Sequence, residues 1–149
     1  MDEPKHTKEA VSVMIISDNR FLLLWRYKWE SEGTPFILPG GGLKEGESIL
    51  EAAQRELMEE ISWTIPYDML NSVEIIESGP TKWTGKMNYV VLKLIKDQDI
   101  EIEIENKFAG AVWVPLSYNI MKNLRPLLMP GALRLLCDKW PELFTGIKQ

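Results

Sequence analysis

Gly41-Gly42-Leu43-Lys44-Glu45-Gly46-Glu47-Ser48-Ile49-Leu50-Glu51-Ala52-Ala53-Gln54-Arg55-Glu56-Leu57-Met58-Glu59-Glu60-Ile61-Ser62-Trp63 is the stretch on which the reading of this chain turns. A glycine turn leads into a short helix. Ser48 has the character of an N-cap, and Glu51 three residues on completes a capping box. Leu50, Ala53, Leu57 and Ile61 recur at helical spacing and form a core-facing stripe. Residues three and four apart share a helix face, so Glu56, Glu59 and Glu60 converge on one patch. Crowded carboxylates repel one another unless a hard cation lies between them, and an oxygen-rich cluster suits Mg²⁺ or Mn²⁺. The three acids flank the apolar stripe instead of opposing it, which places them at the border of a cleft.

Upstream, residues 36–38 read as a short strand that Pro39-Gly40-Gly41-Gly42 ends, after a polar loop over 29–35. Residues 11–16 and 21–25 are apolar runs around Ser17-Asp18-Asn19-Arg20, a hairpin with both strand faces buried. Downstream, residues 72–77, 88–95 and 109–114 read as strands. Residues 100–105 alternate Ile and Glu strictly, predicting a further strand with isoleucines on one face. Helices are expected over 118–123 and 131–140, separated by Pro126 and Pro130 and ended by Pro141. This order defines an α/β domain with a mixed sheet between helical layers.

The chain has 149 residues, the size of one domain, and a formal net charge of −5. That charge argues against capture of a nucleic-acid polymer, which needs clustered positive charge. A small anionic ligand would need a local cation. The single cysteine, Cys137, forms no intramolecular disulfide and lies in an apolar helical run, as a core residue would. One histidine, His6, leaves little room for zinc sites or histidine-based catalysis. The apolar runs are too short to span a bilayer, and the first residues lack a signal-peptide core. A cytoplasmic protein without membrane association is expected.

The helical stretch resembles the signature of the Nudix hydrolases. Gly41 matches its first glycine, Glu47 its first acid, Arg55-Glu56-Leu57 its Arg-Glu-apolar triplet, Glu59-Glu60 its acidic pair and Trp63 its last bulky residue. Phe36-Ile37-Leu38-Pro39-Gly40 resembles the family's approach to the box, and Trp113-Val114-Pro115-Leu116 its late strand. Ser62 stands where the family has glycine, at a left-handed helix end that costs other residues roughly 1 kcal/mol. The resemblance implies a Nudix-like α/β/α sandwich spanning residues 1–149. It also implies hydrolysis, with Mg²⁺ or Mn²⁺, of a nucleoside diphosphate linked to another group. Under it, Glu56, Glu59, Glu60 and the Gly40 carbonyl hold the metal. Arg55 orients the acids, Glu47 supports the helix start or a nearby water, and Gly41 and Gly42 admit the phosphates. A downstream glutamate, Glu103 or Glu105, with Glu101 less near, serves as general base.

Six tryptophans invite a base-stacking reading. Trp25, Trp29, Phe36 and Trp83 come from segments able to line a cleft, while Trp113 and Trp140 read as core. Arg26, Lys28, Lys82 and Lys86 are available to phosphates. Pro80 is near, but not on, the position that marks ADP-ribose hydrolases, and Gly79 and Thr81 do not supply the tyrosine of dinucleoside polyphosphate hydrolases. The Leu38–Gly42 turn leans toward nucleoside triphosphates. A nucleotide-binding module that does not cleave is the alternative of a different class, and a homodimer is compatible with the sequence.

Overall fold

The computed structural model describes residues 9–78, 80, 85–95 and 100–145. The expected hairpin forms from β1 (Ala10–Ser17) and β2 (Arg20–Arg26). Asp18 and Asn19 turn the chain with φ of 52° and 61°, a conformation that these two residue types tolerate best after glycine. Only Ile16–Phe21 and Ser17–Arg20 pair across the hairpin. Beyond them the chain fills the space between the strands with its own next segment. β3 (Phe36–Ile37) pairs with β2, and β4 (Gly40–Gly42) pairs with β1. The glycines expected to end a strand therefore make one themselves, stitched to Ala10, Val11 and Ser12.

The sheet is mixed, as expected. β6 (Met87–Leu94) runs parallel to β1, and β5 (Leu70–Ser78) lies antiparallel to β6. β7 (Phe108–Pro115) pairs antiparallel with β2. β1 is buried along its whole length because both faces of the sheet are covered, the reason its sequence is apolar apart from Ser12 and Ser17. Val11, Val13, Ile15, Val90 and Leu92 pack against α1 (Ile49–Ile61) through Ala53, Leu57 and Ile61. Met14, Ile16, Tyr89 and Val91 pack on the other side against α2 (Tyr118–Leu124) and α3 (Ala132–Lys139) through Met121, Leu133 and Leu136. Each such fully buried side chain contributes about 1.5–3 kcal/mol. The result is an α/β/α sandwich. Among the described residues no helix is long and apolar enough to cross a membrane.

Residues 100–105 correct the expectation of a further strand. Ile100, Ile102 and Ile104 do face the core, and Glu101, Glu103 and Glu105 are exposed. Their backbone, however, is bonded to a helix end and not to the sheet. The Glu103 N–H donates to the Ile61 carbonyl (3.0 Å) and the Glu105 N–H to the Glu60 carbonyl (2.9 Å). Alternation fixes which side chains turn inward; it does not choose the backbone partner. The last carbonyls of α1 lack partners within the helix and take the nearest donors.

Both ends of α1 are built as the sequence suggests. Ser48 and Glu51 form the reciprocal capping box, and Ser62 ends the helix in the left-handed region at φ 55°, ψ 43°. Its N–H reaches the Met58 carbonyl at 3.2 Å. The family glycine is thus replaced without loss of the helix exit, at the cost of a Cβ in an unfavoured conformation. Ser62→Gly is expected to stabilise the fold by about 1 kcal/mol, read as a higher denaturant midpoint at an unchanged slope.

Candidate functional site

Helix α1 turns two of its acids inward. Glu56 and Glu60 lie on the buried face with Ala53 and Leu57, at 9% and 3% exposure. The Arg55 guanidinium organises what surrounds them. It grips Glu47 through Nε–Oε2 (2.7 Å) and Nη2–Oε1 (2.9 Å), and Nη2 also donates to the Gly42 carbonyl at 2.9 Å. Nη1 donates to Glu56 Oε1 at 2.9 Å and to Glu59 Oε1 at 3.4 Å. Glu47 is drawn down to about 2, first by its hydrogen bonds from Arg55 and then by the Lys44 N–H. Arg55 is pushed up in turn, chiefly by its bonds to Glu47.

The glycine strand β4 lies against these acids. The Gly40 N–H donates to Glu60 Oε1 at 2.9 Å. A Cβ on Gly41 would sit 2.3 Å from Glu56 Oε1, so the carboxylate occupies the space that a side chain would fill. A Cβ on Gly40 would instead meet the Val11 carbonyl oxygen at 2.1 Å. Burial pushes Glu60 up to about 7, against the Gly40 N–H, while Glu56 adds to the rise. Glu56 is also raised by burial, opposed by Arg55. Lys107 Nζ lies 3.6 Å from Glu60 Oε2 and 3.5 Å from Glu105 Oε1. Lys107 carries no motif signal. It arrives only because the 100–105 segment is bonded to the end of α1.

A cavity of about 400 Å³ opens beside β4. Gly40, Gly41 and Gly42 form part of its wall, with Arg26, Lys28 and Trp29 from the end of β2 and the turn after it. Leu38, Met87, Met129 and Leu133 give it an apolar side. The three aliphatic or thioether residues from β6 and the α3 approach were not anticipated, since they resemble ordinary core positions in the sequence.

Other predicted residues are placed elsewhere. Phe36 does not line the cavity; it packs edge-to-face on Trp25 with centroids 5.1 Å apart, and Trp25 Nε1 donates to Glu30 at 2.7 Å. Glu47 faces Arg55, and Glu59 has a half-exposed side chain. Glu103 is exposed, tied to α1 through its backbone alone among the bonds described. Lys86 pairs with Glu77. Trp83 and Lys82 lie outside the described residues. Among the described residues no three His, Cys, Asp or Glu side chains are gathered as a ready-made ion cage; Arg55 engages Glu56, and the Gly40 N–H and Lys107 engage Glu60. Cys137 is pushed up to about 12 by burial, which removes it as a nucleophile near neutral pH.

A family profile described as NUDIX domain matches residues 6–131. With the glycine strand, the acidic helix and the sandwich in place, the chain belongs to the Nudix family. It is similar to the ADP compounds hydrolase NudE of Escherichia coli (strain K12), with 30% identity over 111 residues. That alignment covers 74% of this chain and 58% of the relative, so the chain matches less than two thirds of that protein's length. Among solved structures, the MutT protein of Methanosarcina mazei Go1 superposes with TM-score 0.61 at 21% identity, over 95% of this chain and 98% of that one. A bifunctional NMN adenylyltransferase/ADP ribose pyrophosphatase of Francisella tularensis, complexed with AMP and a Mn ion, gives TM-score 0.65 at 19% identity. It is matched over 94% of this chain and 43% of its own. At these identities the structural likeness establishes the fold.

The depressed pKa of Glu47 has a testable sign. A carboxyl lowered on folding stabilises fully above its unfolded value of about 4.5 and loses that contribution as pH falls toward about 2. Glu47→Gln is expected to melt below the wild type at pH 7. Thermal melts at a series of pH values should show the gap closing between pH 4.5 and 2.

Proposed function

We propose that this chain is a metal-dependent pyrophosphohydrolase of small nucleotides, cleaving a nucleoside diphosphate linked to another group by water attack on phosphorus. The observation that carries this reading is the contact of Gly40 with Glu60 and of Gly41 with Glu56, on a glycine strand that also lines a cavity of about 400 Å³. The donor types suit Mg²⁺ or Mn²⁺: hard carboxylate oxygens from Glu56, Glu59 and Glu60, to which the Gly40 carbonyl would be added. Two of these acids are buried with raised pKa values, an arrangement that a bound cation would stabilise in the charged form. When bound, the ion supplies Lewis-acid neutralisation of the phosphate oxygens and a more acidic water.

The chain's own residues do the positioning. Arg55 fixes the directions of Glu56 and Glu59 from one rigid fork. Gly41 and Gly42 bring bare backbone to the phosphates. Glu105 is the favoured general base, because Lys107 bridges it to the buried Glu60, whereas Glu103 has no such link among the described contacts. Arg26 and Trp29 line the cavity that receives the rest of the nucleotide. A nucleoside triphosphate is the first substrate class, from the Leu38–Gly42 turn. ADP-linked compounds are the second, favoured by the likeness to NudE.

Incubation with Mg²⁺ and a panel of NTPs, ADP-ribose, NADH and diadenosine polyphosphates, followed by phosphate-product analysis, tests this directly. Turnover of at least one is expected; binding without release from any would make the protein a non-cleaving nucleotide binder. Glu56→Gln and Glu60→Gln should each lower kcat by roughly a hundredfold or more. Two glycine variants should behave differently. Gly41→Ala displaces only the flexible end of Glu56, so activity should collapse while Tm changes little. Gly40→Ala strikes the β1 backbone, and both should fall.

A further inference from the structure

The cavity beside β4 has a polar wall of one sign. Arg26 and Lys28 are the charged residues that line it, and no carboxylate does among the described residues. Neither cation forms an ion pair with a described residue. The Arg26 Nε is buried and has no hydrogen-bond partner among the described residues. A guanidinium N–H withdrawn from water without an acceptor is rare, and it is satisfied best by a charged oxygen. The local backbone helps to place it. The β2–β7 register shifts between Trp25 and Arg26, and such an irregularity re-aims the side chain that follows it. The Lys28 Nζ lies 5.6 Å from the centre of the Trp29 ring, held over a neutral surface beside the same cavity.

We propose that Arg26 and Lys28 form an anion subsite for a phosphoryl group of the substrate other than the two joined by the cleaved anhydride. This rests on the hydrolase reading and sharpens it. Substrates with an additional phosphate, such as nucleoside triphosphates and dinucleoside polyphosphates, are preferred over ADP-ribose, whose only phosphates are the two at the cleaved bond. The apolar wall of Leu38, Met87, Met129 and Leu133 takes the base or ribose, and the cationic wall takes the extra phosphate.

The test compares ATP with ADP-ribose in the Mg²⁺ enzyme, and measures ATP binding by calorimetry in EDTA. Arg26→Gln is expected to raise KM for ATP about tenfold, the loss of one charge-assisted hydrogen bond, with kcat held within about threefold. The loss for ATP should exceed that for ADP-ribose by about fivefold, and Arg26→Lys should recover part of it. The metal-free Kd for ATP should weaken in parallel. Equal losses for both substrates, or no loss in a folded Arg26→Gln protein, would overturn the subsite and leave the hydrolase reading standing. If the wild type hydrolyses nothing yet binds ATP through Arg26, the hydrolase reading falls and the anion subsite remains.

Discussion

The Arg55 guanidinium is the interaction on which the site depends. One planar cation is hydrogen-bonded to Glu47, Glu56, Glu59 and the Gly42 carbonyl, so it ties the loop before α1, the helix itself and the glycine strand into one unit. Lysine could not replace it, because a point charge on a flexible stem cannot hold four directions at once. Its charge also restrains the repulsion between Glu56 and Glu59, which face each other from successive turns of the same helix. Without it, Glu56 would keep only the more distant charge of Lys107 to oppose its burial.

That unit is supported by the way the hairpin opens. Because β1 and β2 pair only next to their turn, β3 and β4 enter the sheet between them and bring Gly40–Gly42 under α1. The same opening brings the end of β2, with Arg26, to the cavity wall. The fold therefore brings acidic groups against a short glycine strand and basic groups to the cavity that the same strand lines.

Much of this is legible in the sequence, and the residues show why. The capping box, the stripe of α1 and the hairpin with two buried faces are local patterns, and local physics decides them. Three glycines carry no side-chain periodicity and look like a turn in the sequence; only the neighbouring β1 makes them a strand. Residues 100–105 have strand periodicity but spend their N–H groups on a helix end, a choice made by tertiary contact. Lys107 and the methionine-lined side of the cavity were invisible for the same reason: each depends on segments distant in the chain. Phe36 comes from a segment able to line a cleft, and in the fold it packs edge-to-face on Trp25.

The bonds from the Glu103 and Glu105 amides to the last carbonyls of α1 have a consequence for how such a site tolerates change. The separation between Glu60 and Glu105 is set by two peptide groups and not by the long excursion through β5 and β6 that connects them. Loops in that excursion can lengthen or shorten without altering the distance between the acidic helix and the segment facing it. Because the linkage is main chain to main chain, no change of side chain other than to proline removes it. The segment can exchange one side chain for another while its backbone geometry toward the acidic helix stays fixed.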